Sequence, residues 1–97
     1  MKLVALFDMP DDPEVFDEAY FGTHIPLIEQ VVGLRKIVLS RVTRTYMGHN
    51  LYLMAEMFFD DADSLKAGMR SPEMAAAGET LNTFAEGLVT IFVAEEQ

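Results

Sequence analysis

Over residues 2–8 the chain alternates without ever turning polar: Leu3, Ala5 and Phe7 point one way and Val4 and Leu6 the other, which predicts a strand in the middle of a sheet. Met9 to Pro13 reads as a turn, and Asp12-Pro13-Glu14 supplies a helix N-cap, a proline for the first helical position and an early carboxylate. At about 100° per residue, the helix predicted over 13–24 places Phe16, Tyr20, Thr23, Leu27 and Val31 on one stripe, with His24 at its border. Pro26 has no N–H for Gly22 and disfavours helical geometry at Ile25. The helix is therefore expected to kink or restart there, freeing the Gly22 carbonyl close to the imidazole.

Residues 34–45 alternate with β-branched content and predict a long, half-polar strand. Met47-Gly48-His49-Asn50 has turn chemistry, and 51–59 is a third strand, apolar on both faces apart from Glu56. Asp60 with Asp63 resembles a capping arrangement for a helix over about 61–70; Ser71-Pro72-Glu73 starts another that runs to about Phe84. The small run Ala75-Ala76-Ala77-Gly78 permits a neighbour to approach closely, and 88–94 closes the chain as a strand. The order βαββαβ defines an α+β, ferredoxin-like domain over 1–97: a four-stranded antiparallel sheet with two helices on one face. Three strands are apolar on both faces, yet helices cover only one. A second copy of the sheet is the simplest cover, so a homodimer is expected.

Composition sharpens that expectation, because 51% of the 97 residues are hydrophobic and so short a chain has little interior in which to hide them. The formal charge of −9 disfavours nucleic acid and anionic membrane surfaces as partners. The chain has no cysteine, hence neither disulfide nor thiolate nucleophile. The apolar run after Lys2 ends at Asp8, too short for a signal segment or a membrane span, which makes a cytoplasmic location the default expectation. Four of the seven basic residues, Arg35, Lys36, Arg41 and Arg44, lie in or beside the second strand; they guard a sheet edge or, less simply, bind an anion.

Among side chains with useful chemistry His24 leads, since imidazole exchanges protons near neutral pH. Its competing role is structural, a helix-edge histidine bonded to a backbone carbonyl. Tyr20 stands one turn earlier and is a candidate pocket residue with a phenolic donor; Leu27 shares its stripe. Glu56, the lone charge of its strand, either meets a partner at the dimer seam or lines a cavity, and Asn82 is placed to orient a ligand carbonyl. His49 reads as a turn residue. Two histidines 25 positions apart give no metal-ligand spacing, and neither a phosphate loop nor a dinucleotide fingerprint is present, so no cofactor is expected.

The run Tyr20-x-x-x-His24-x-Pro26-Leu27 with Gly33-Leu34 downstream resembles the EthD family, small proteins of the dimeric α+β barrel group. Val32 stands where such proteins usually carry a proline, and Ala19 where many carry a second aromatic residue; the second departure bears on pocket shape. The resemblance implies a dimeric α+β barrel and a small apolar or aromatic ligand between helices and sheet. It implies either cofactor-independent oxygenation or proton transfer through His24, or else a non-catalytic binding or accessory role. Related barrels that bind haem place the ligating histidine in the second helical layer, and none lies between Asp60 and Phe84 here.

Overall fold

A computed structural model describes residues 1–97. The strands are β1 (Lys2–Asp8), β2 (Lys36–Arg41), β3 (Leu51–Phe58) and β4 (Val89–Ala94), and the sheet order is β2-β3-β1-β4 with every pair antiparallel. The helices are α1 (Pro13–Ala19), continued through a π-helical turn (Tyr20–His24) into α2 (Ile25–Ile28), then α3 (Ala62–Met69) and α4 (Pro72–Phe84). This is the ferredoxin-like α+β fold.

Register assigns the two faces of the sheet. Ile37, Met57, Leu3 and Val93 form one cross-strand row, and Leu39, Ala55, Ala5 and Ile91 the next; both lie on the face beneath the helices, where Leu3, Ala5, Ala55 and Met57 are buried. On the opposite face Val38, Glu56, Val4 and Phe92 form one row and Ser40, Met54, Leu6 and Thr90 another, with no element of this chain laid over them. Glu56 therefore sits on the outer face, where it accepts a hydrogen bond from Lys2 Nζ at 2.8 Å. On the edge strand β4, Ile91, Phe92 and Val93 remain exposed.

Three departures from the sequence pattern have local causes. The strand expected over 34–45 ends at Arg41: Val42 N–H still bonds the Tyr52 carbonyl, after which the chain leaves the sheet and turns through Gly48 at φ +93°. Register shifts between Phe7 and Asp8, so that Leu53 faces Phe7 and Leu51 faces Asp8; the unpaired Tyr52 is buried along with Leu53 and packs edge-on against Phe16. The cap of α3 is Asp61, accepting from Ser64 N–H at 2.8 Å, while Asp60 pairs with Arg35. Asp12 and Ser71 cap α1 and α4 as their sequences predict.

Within the run 75–78 Ala77 is completely buried in the core, but the tightest glycine contact falls at Gly68. A Cβ there would lie 2.7 Å from the Phe59 ring and 3.1 Å from both Val31 and the Val32 carbonyl, whereas at Gly78 it would meet nothing within 4 Å. Gly68→Ala is expected to cost about 1–3 kcal/mol by overpacking and Gly78→Ala to gain about 0.5–1 kcal/mol of helix propensity. Thermal denaturation of the two variants should thus shift in opposite directions; a Gly68→Ala protein as stable as the parent would contradict the packing described.

Candidate active site

The π turn decides which residues reach the interior. Continuing the straight-helix count past Tyr20 puts Thr23 and Leu27 inward, but the buried positions are Phe16, Tyr20, His24, Ile25, Ile28 and Val31, with Thr23 exposed. The inward stripe steps by four, then four again, as it must when one extra residue is taken up in a wide turn. Pro26 accounts for it: its ring collides with the carbonyl four residues back in an α-helix, and the turn widens so that Ile25 N–H bonds Tyr20 O while Pro26 opens α2. The expected kink is thus a winding change, and His24 moves from the border to 5% exposure.

Phe16, Tyr20 and His24 consequently stack in sequence. Tyr20 lies 5.5 Å from Phe16 at 12° and 5.3 Å from His24 at 28°, while Phe7 meets it edge-on at 5.1 Å. Above the sheet, under α4, is a cavity of about 280 Å³ whose floor includes Leu3, Ala5, Phe7 and Met57 and whose roof includes Met74, Ala75, Ala77, Gly78 and Leu81. The small run 75–78 leaves room for this cavity. Of the fifteen lining residues only Tyr20 and His24 carry polar side-chain atoms.

Those atoms are placed differently. His24 Nδ1 is 2.8 Å from Thr80 Oγ1, whereas neither His24 Nε2 nor the Tyr20 hydroxyl has a protein partner. No fully buried side-chain nitrogen or oxygen is unpartnered, so neither atom is sealed off, and both residues line the cavity. Burial pushes the His24 imidazole below its ordinary value of 6.5, with the Ala77 carbonyl acting the other way, so the ring is neutral at pH 7 and offers a lone pair. Burial likewise pushes the Tyr20 phenol up, keeping it a protonated donor.

The lowered imidazole value gives a pH dependence of stability. Above about pH 6.5 the ring is neutral in folded and unfolded chains alike; as pH falls through the lower folded value, the unfolded chain binds the proton first and stability declines. Asp60, held down by its hydrogen bond from Arg35, and Asp61, held down by Ser64 N–H, act only below the carboxylate value of 3.8. Between about pH 7 and pH 5 the melting temperature of the parent should fall more than that of His24→Gln. Equal slopes would remove the claim.

The other residues singled out from the sequence lie elsewhere. Leu27, turned aside by the extra residue, lines a separate outer groove with Ala19, Thr23, Glu79 and Thr80. Glu56 is on the outer sheet face, and Asn82 is exposed on α4. Ala19 faces the same outer groove, so this departure from the family pattern does not touch the cavity. Met69, Met74 and Leu81, apolar at helical spacing, and Ile91, on one alternating face of the last strand, line the cavity, whereas Thr80 had no local sequence signal: it lies 56 positions from His24, and only the fold joins them. No three His, Cys, Asp or Glu side chains converge, and no helix is long and apolar enough to cross a membrane.

A four-stranded antiparallel sheet roofed by helices, with an apolar cavity between them lined by Tyr20 and His24, defines a ferredoxin-like α+β domain. The EthD domain model matches residues 10–87, and the chain belongs to the EthD family. It is 42% identical to an EthD family protein from Bacillus halodurans, with a TM-score of 0.92 over 99% of this chain and 97% of the other. An uncharacterised 11.0 kDa protein from the thcB-thcC intergenic region of Rhodococcus erythropolis is 26% identical over 99% of this chain and 94% of its own length. SnoaB, a cofactor-independent oxygenase from Streptomyces nogalater, shares the fold at TM-score 0.68 and 15% identity, over 99% of this chain and 93% of its own. Several ferredoxin-like neighbours are described as dimeric, among them one from Bacteroides fragilis at 22% identity and TM-score 0.62, over 96% and 94% of the two chains.

Proposed function

We propose that the protein works as a cytoplasmic homodimer that binds a small apolar or aromatic molecule carrying one weakly acidic proton, and that His24 accepts that proton at Nε2. The observation that carries this reading is the position of Nε2, a neutral base without a protein partner, bordering an otherwise apolar cavity. A phenol, or a ketone with a C–H beside its carbonyl, fits the chemistry. The proton passes to Nε2, the charge moves to the substrate oxygen, and the Tyr20 hydroxyl is available to donate to it. An anion formed in this way is also the species that reduces dioxygen without a cofactor, and the shared fold of SnoaB supports that oxidative version. The cavity is near the lower end of the usual range for ligand sites, in keeping with a one- or two-ring occupant.

Dimerisation completes the architecture. Val38 and Phe92 are exposed on the outer face, at either end of the row that runs through Glu56 and the buried Val4, and a second sheet laid over that face by a two-fold axis makes the α+β barrel.

β-Tetralone, a bicyclic ketone with acidic C–H bonds, is a suitable probe. Its hydrogen–deuterium exchange in heavy water, followed by proton NMR, should be accelerated by the parent protein, and His24→Gln should reduce the acceleration by about 10²–10⁴-fold. Binding without exchange supports a non-catalytic carrier, and exchange unaffected by His24→Gln refutes the proposal.

A further inference from the structure

Thr80 is the only side chain that hydrogen-bonds the His24 ring, and its hydroxyl has two neighbours: His24 Nδ1 at 2.8 Å and the Ala77 carbonyl oxygen at 2.7 Å. A hydroxyl has one hydrogen to give. Were it given to the imidazole, lone pairs of the Thr80 and Ala77 oxygens would face each other at 2.7 Å; given to Ala77, three residues earlier on the same helix, it makes the bond that a helical threonine forms readily. Thr80 Oγ1 is then an acceptor toward the ring, and Nδ1 must carry the proton. In a neutral imidazole that leaves the lone pair on Nε2, the nitrogen without a protein partner that borders the cavity.

We infer that Thr80 is a positioning residue: anchored to the Ala77 carbonyl, its hydroxyl holds the His24 proton on Nδ1 and so keeps the basic lone pair of Nε2 turned toward the cavity. The inference rests on the proposed use of His24 as a base, but its physical content, a fixed tautomer, belongs to the empty protein. Without such a partner the neutral imidazole prefers its proton on Nε2, and a nitrogen that carries a proton cannot accept one from a ligand. Thr80 also lines the outer groove with Thr23 and Glu79, so it works from behind the ring and leaves the cavity side open.

Nitrogen NMR on ligand-free, histidine-labelled protein, at a pH where the ring is neutral, tests this directly. The parent should show His24 in the Nδ1–H form; Thr80→Val should shift the majority to Nε2–H, and Thr80→Ser, which keeps the hydroxyl, should restore it. The Thr80→Val protein should also lose most of its β-tetralone exchange and retain binding. An Nε2–H parent, or a Thr80→Val protein still in the Nδ1–H form because the Ala77 carbonyl holds the ring unaided, overturns the inference. If the tautomers behave as stated and the parent catalyses no exchange, the proposed reaction fails and the positioning role stands.

Discussion

Phe16→Ala is expected to lower stability by about 3–5 kcal/mol, the range for deleting a buried phenylalanine ring. Phe16 is 2% exposed and its ring meets four others, Phe7 at 5.4 Å, Tyr20 at 5.5 Å, Tyr52 at 5.5 Å and Phe84 at 5.3 Å. Edge-on and stacked pairs of this kind add about 0.5–1.5 kcal/mol each beyond simple burial. For a domain whose whole stability is of the order of 5–15 kcal/mol the change is severe, corresponding to a fall in melting temperature of more than about 12 °C. Urea denaturation of parent and variant measures it. A loss below about 1 kcal/mol would mean that the aromatic cluster does not organise the core, and with it would go the account of how Tyr20 and His24 are held.

Phe92→Asp is expected to convert a dimer into monomers. Phe92 is 41% exposed in the single chain, so its replacement leaves the monomer core intact, but it shares an outer row with Val4, Glu56 and Val38. In the proposed assembly that row is covered by the partner sheet. Lys2 is already engaged by Glu56, so a new carboxylate would enter the seam unpaired at a cost of about 3–5 kcal/mol, enough to weaken association by more than about 100-fold. Light scattering at micromolar concentration should give twice the chain mass of 10.9 kDa for the parent and the single mass for the variant. A monomeric parent removes the dimer, and a variant that stays dimeric moves the seam to another surface.

Much of the fold was legible because its signals are local. The two-sided apolar strands, the Asp12-Pro13 and Ser71-Pro72 helix starts and the order of elements all appear in the structure, and Tyr20 and His24 border one cavity. What escaped the sequence is register. A straight-helix count carries Leu27 inward, and nothing local announces that Pro26 is accommodated by a wider turn; strict alternation along β3 likewise misses the bulge that buries Tyr52 beside Leu53. Glu56 could not be assigned to a face until the pairing of β3 with β1 was known. Thr80 could not be found at all, because its role exists only where α4 crosses the first helix.

The wide turn at Tyr20–His24 also bears on how such a site arises and disappears. The turn takes up one residue more than ordinary winding would, so a codon added or removed there rotates the side chains on one side of it against those on the other by about 100°. Which side chains of this segment face the cavity can thus change through one insertion or deletion, with the sheet and the other helices left as they are.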